Sequence, residues 1–160
     1  MRVRRLICDI KNIESDGQWS TKDLQPRYAP IYAKTKPIRA GWQWRSIKIS
    51  SENGIYILLA ECNPARNNWN AKLIRETVYG PSVVARFESH ASHPGLHVHT
   101  HCDRSGLETG AVGLDNLVRV PPTGTKHRRT NAWTETTFWE AAKRFFRVRE
   151  EQGVLVFDAP

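Results

Sequence analysis

The chain predicts an α+β fold: a single antiparallel sheet, a meander of about five strands, with one main C-terminal helix covering one face. Three observations carry this. Between Trp42 and Cys102, runs of alternating polarity are separated by turn signals. Near the C-terminus, Phe138, Ala141, Ala142, Phe145 and Val148 recur at helical spacing. With 160 residues, the simplest organisation is one domain over 1–160, long enough to bury a core.

Taken in order, residues 1–10 suit a short strand with Arg4, Leu6, Cys8 and Ile10 on one side. Residues 11–41 are polar and punctuated by Pro26, Pro30 and Pro37, so they predict an irregular arm anchored by Trp19, Tyr28 and Tyr32. Trp42 to Ser50 alternates, and Glu52-Asn53-Gly54 is a hairpin turn signal. Ile55 to Ala60 is apolar on both faces, which predicts a covered central strand. A further strand is expected over 70–78, ended by Tyr79-Gly80-Pro81. Past a glycine-bearing stretch, Leu117 to Val120 suits a short strand. The main helix starts at Thr134 or Thr136, either of which can cap it, with Glu135 and Glu140 near its positive end. It runs to a stop at 150–153, and Val154 to Phe157 is a closing strand.

Five of the six histidines lie between Ser89 and Asp103. Strand parity puts Leu96, Val98, Thr100 and Cys102 on one face and His97, His99 and His101 on the other. In the run before, Val83, Ala85 and Phe87 oppose Val84, Arg86, Glu88 and His90. A four-residue turn at Ser92-His93-Pro94-Gly95 pairs the runs with His90 opposite His97, Glu88 opposite His99 and Arg86 opposite His101. A slip of one residue would set polar side chains against apolar ones. The expectation is a hairpin with one apolar face and one face of histidines, an arginine and a glutamate. With the helix over the apolar face, the histidines belong on the opposite side.

Lys plus Arg is 24 against 16 Asp plus Glu, a net charge of +8, which favours an RNA or nucleotide substrate over a membrane. Cys8, Cys62 and Cys102 form neither a disulfide framework nor a metal-type spacing, which suits a reducing cytoplasm. The apolar run Leu6-Ile7-Cys8 is too short for a signal peptide or a membrane span.

These features favour acid–base cleavage of phosphodiester or phosphoanhydride bonds in RNA or nucleotides, as in a small metal-independent ribonuclease with no cofactor. A toxin or defence effector is one setting for it, with room for a protein partner. Such chemistry needs a base, an acid and cations for the charge on phosphorus. His97, His99, His101 and His90 supply the first two, with Glu88 orienting an imidazole. Arg86, Arg104, Lys126, His127, Arg128 and Arg129 are the candidate phosphate contacts. The alternatives are a zinc-type metal enzyme using His97, His99 and His90, and a non-catalytic nucleic-acid-binding module. His-x-His on a strand spaces its Cα atoms by about 6.6 Å, within reach of one ion.

The stretch Leu96-His97-Val98-His99-Thr100-His101 resembles the histidine-triad signature of nucleotide hydrolases and transferases. The resemblance covers fewer than ten residues and implies that the middle histidine, His99, attacks an α-phosphate. Where that signature continues with an apolar pair, this chain has Cys102-Asp103. The family's upstream helix and Asn-bearing strand have no recognisable counterpart.

Overall fold

The computed structural model describes residues 3–90, 93–100, 110–112 and 133–150. The expected strands at 117–120 and 154–157 lie outside them, as does Cys102. The elements in chain order are α1 (Val3–Cys8), β1 (Lys11–Ser15), β2 (Gln43–Ser51), β3 (Gly54–Asn63), β4 (Asn68–Thr77), β5 (Gly80–His90), β6 (His93–Thr100), β7 (Gly110–Val112), α2 (Glu135–Phe145) and β8 (Val148–Arg149). The strands form one sheet in the order β7-β6-β5-β4-β3-β2-β1-β8. Every neighbouring pair is antiparallel except β1 with β8, which is parallel.

The α+β class therefore holds, but among the described residues the sheet is mixed and has eight strands rather than being a five-strand antiparallel meander. The parallel edge comes from where the C-terminal helix ends. Arg147 takes the left-handed conformation (φ 57°), and its carbonyl accepts a hydrogen bond from Lys11 N at 3.0 Å. The expected last helical turn is thereby converted into β8. At the other end, Thr134 caps α2 as the sequence suggests. Its hydroxyl accepts from Thr137 N at 3.1 Å, and Thr137 Oγ1 accepts from Thr134 N at 2.9 Å.

Residues 3–8 are helical, not extended. Val3, Leu6 and Ile7 follow the i, i+3, i+4 rule and are all buried, and α1 packs on β5. Over so few residues the strand alternation fits equally well, and packing decides. Lys11 locks this corner. Its side chain is fully buried, and Nζ donates to Ile7 O at 3.2 Å, Asp9 O at 2.7 Å and Phe146 O at 3.0 Å. One ammonium thus serves carbonyls at the C-terminal ends of both helices, where a cation is favoured.

Two hydrophobic clusters lie on opposite faces of the sheet. Beneath the helices, Phe87 stacks on Phe138 (ring centroids 5.8 Å) and Phe145 (4.9 Å), with Trp69 against Phe138 at 5.5 Å. On the other face, Leu24 and Ala29 of the arm cover Ile57, Leu59 and Ile74, with Tyr28 and Tyr32 packed against them. β3 is accordingly buried on both faces, as its sequence predicts. The first five residues of the expected arm form β1, and the rest is held by isolated bridges such as Ser20 with Trp44 and Leu24 with Lys36.

The hairpin that carries the histidines is present in a different register. Glu88 pairs with His97, Arg86 with His99 and Phe87 with Val98, while His90 pairs with His93. The expected pairings Arg86–His101 and Glu88–His99 are displaced by two residues and His90–His97 by four. Two steps from Glu88 to His90 face four steps from His93 to His97, so β6 carries the excess as an irregularity containing Pro94-Gly95. Proline and glycine within strands favour such places because they weaken the ladder. Displacement by two conserves parity: Leu96 and Val98 remain buried in the helix-side cluster, and His97 and His99 remain on the opposite face. An irregularity opposite Leu73 and Ile74 also puts Val84 with Ala85 in the helix-side cluster and Val83 on the arm side, the reverse of the expected parity for these two valines.

Candidate functional site

Parity along β5 builds the site. Phe87 is clamped among aromatic rings of α2, so Arg86 and Glu88 on either side must emerge on the opposite face. On β6 the buried Val98 does the same for His97 and His99. Two cross-strand rows result. One runs Glu61, Asn70, Glu88, His97; the other runs Leu59, Lys72, Arg86, His99. His90, two residues beyond Glu88 on β5, shares this face by parity.

Glu88 is the hub, with a side chain only 8% exposed. Its Oε2 lies 2.8 Å from Arg86 Nε, an ion pair whose N–H is not aligned along the contact, and accepts from Asn70 Nδ2 at 3.1 Å. Its Oε1 faces three imidazoles: His97 Nε2 at 3.1 Å, His99 Nε2 at 3.1 Å and His90 Nε2 at 3.7 Å. The His97 ring stands nearly perpendicular to those of His90 (centroids 4.8 Å) and His99 (5.1 Å). All three imidazoles are partly exposed, so a ligand can reach them.

Burial pushes the pKa of His99 below the ordinary histidine value; Glu88 opposes this, while Arg86, His97 and His90 add to it. His99 is thus biased toward the neutral form, able to accept a proton.

A second carboxylate lies along the same row. Burial disfavours the charge on Glu61, but Lys72 and Lys36 outweigh it and hold its pKa below the usual range. Both lysines bond this carboxylate, and Tyr32 lies beside it, so the arm is fastened to the sheet two strands away from the histidine cluster.

Of the residues singled out in the sequence, the structure brings together Arg86, Glu88, His90, His97 and His99. His101, Arg104, Lys126, His127, Arg128 and Arg129 lie outside the described residues. Sequence reasoning passed over Asn70 and Lys72, although their parity opposite Ala71 and Leu73 was available to read. Glu61 was missed because it follows an apolar run. Among the described residues, no helix is long and apolar enough to cross a membrane. No protein-family model, curated protein or solved structure matches this chain, so the histidine-triad resemblance of residues 96–101 has no match at the level of a family.

Proposed function

We propose that the cluster around Glu88 cleaves phosphodiester or phosphoanhydride bonds in RNA or nucleotides. The observation that carries this is the division of labour at one buried carboxylate. One oxygen is held by Arg86 and Asn70, and the other faces the Nε2 atoms of three accessible imidazoles. A buried carboxylate fixed in this way orients the rings, and partly exposed rings beside an arginine suit a polyanion.

On RNA, His99 removes the proton from a 2′-hydroxyl. That oxygen attacks phosphorus and the bond to the 5′-oxygen breaks. The departing oxygen takes a proton from water and His99 returns its own to that water, so the products are a 2′,3′-cyclic phosphate and a 5′-hydroxyl. Charge on the departing oxygen is met at the position beside His97 and His90. Arg86 faces the phosphate oxygens, and the net charge of +8 draws the polyanion in.

The test is a screen of RNA, single-stranded DNA and dinucleotides for cleavage products, each with and without a chelator. RNA or nucleotide products formed by the parent chain support the reading. Tight, salt-dependent oligonucleotide binding with no product in any arm replaces it with a non-catalytic binding module.

A further inference from the structure

We infer that Glu88, His90 and His97 form a binding site for one divalent transition-metal ion of the zinc class. This rests on the reading of the cluster as the functional centre and specifies how His90 and His97 serve it.

The geometry is that of a ligand set before an ion draws it together. One ligand atom from each residue lies within 4.8 Å of the other two. With bonds of 2.0–2.2 Å, the ligand atoms of a tetrahedral site stand about 3.4 Å apart. Glu88 Oε1 is 3.1 Å from His97 Nε2 and 3.7 Å from His90 Nε2, on either side of that spacing. The third edge, between one nitrogen of His90 and one of His97, is no longer than 4.8 Å.

The surroundings match what a ligating carboxylate needs. Glu88 Oε2 is occupied by Arg86 and Asn70, which leaves Oε1 as the oxygen that can ligate. Two imidazoles with one carboxylate favour zinc, iron, cobalt or nickel over magnesium or calcium, which prefer oxygen donors. Three protein ligands with an open position are the arrangement of a catalytic rather than a structural site. His99 Nε2, 3.1 Å from the same Oε1, stands beside that opening as the proton-transfer group. The net charge of +8 and the Arg86 guanidinium beside Oε2 both oppose a cation, so binding relies on the bonds from Oε1 and the two imidazoles.

The experiment uses the full chain without a polyhistidine tag, stripped by chelator and dialysed against Zn²⁺, with metal content measured per chain. Co²⁺ serves as the spectroscopic probe. The expected result is about one Zn²⁺ per chain, and a visible absorption band with Co²⁺. His90→Ala, His97→Ala and Glu88→Gln should each weaken binding by at least about tenfold. His99→Ala should retain it, and excess Mg²⁺ should not compete. Far-ultraviolet circular dichroism checks each variant; His90→Ala, at the end of β5, carries the test if Glu88→Gln fails to fold. No stoichiometric Zn²⁺, or binding indifferent to His90 and His97, overturns the site. Zinc held by these residues without cleavage of any substrate keeps the site and rejects the cleavage reading. Cleavage by chelated, metal-free protein keeps the cleavage reading and rejects a catalytic role for the ion.

Discussion

Replacing Glu88 with alanine should cost stability as well as activity, because this side chain holds the two rows of the site together. The substitution leaves Asn70 Nδ2 without its acceptor, strips Arg86 of its ion-pair partner and removes the anion that three imidazoles face. Orphaning one buried donor costs about 1–3 kcal/mol. Breaking a fully buried ion pair costs about 3–5 kcal/mol, but the Arg86 side chain is 32% exposed, so water recovers part of that. The Asn70 bond is only part-buried as well, so with both terms discounted for solvent the total is about 2–3 kcal/mol, or a melting temperature lower by about 4–12 °C for a chain of this size. Thermal melting followed by circular dichroism reads this directly. A variant that melts within a degree of the parent would refute the placement of Glu88 as a hub.

Phe87→Ala should be the more damaging neighbour, by about 3–5 kcal/mol, because it opens a cavity under Phe138 and Phe145; a denaturant midpoint close to the parent's would contradict the packing that sets the site's parity. Lys11→Met should destabilise by about 3 kcal/mol or more, since three carbonyls lose their donor; an unchanged melting temperature would contradict the double helix-end contact. Lys11 also sets a pH dependence: burial lowers its pKa to about 8, opposed by Asp9 and Cys8, so between pH 8 and about 10.4 the unfolded chain binds more protons than the folded one. Stability contributed through this group should therefore rise with pH across that window, and the parent should gain on Lys11→Met; parallel pH profiles would contradict it. Arg86→Gln should weaken oligonucleotide binding and flatten its salt dependence, and an unaltered salt slope would show that Arg86 does not meet phosphate.

Much of this was legible because strand parity survives errors in register. Alternation alone placed Arg86, Glu88, His97 and His99 on one face and Phe87 and Val98 on the other. The turn composition of residues 92–95 suggested a four-residue loop, whereas Pro94-Gly95 is absorbed within β6 and shifts the pairing by two. Composition could not distinguish these, because both put the same residues on the same faces. The α1 helix was hidden by its shortness, and the parallel β8 by a non-glycine left-handed residue, Arg147, that no sequence pattern announces. The convergence of three Nε2 atoms on one carboxylate oxygen depends on that irregular register, so it could be read only from the structure.

The most direct test compares RNA and dinucleotide turnover by the parent chain and by His99→Ala, with thermal melting of both measured alongside. His99 is partly exposed on a strand, so its loss should change stability by no more than about 0.5 kcal/mol. Loss of a general base should slow turnover by about 10²–10⁴-fold. Parent-like turnover by a folded His99→Ala chain, or no turnover by the parent on any of these substrates, would contradict cleavage at the Glu88 cluster.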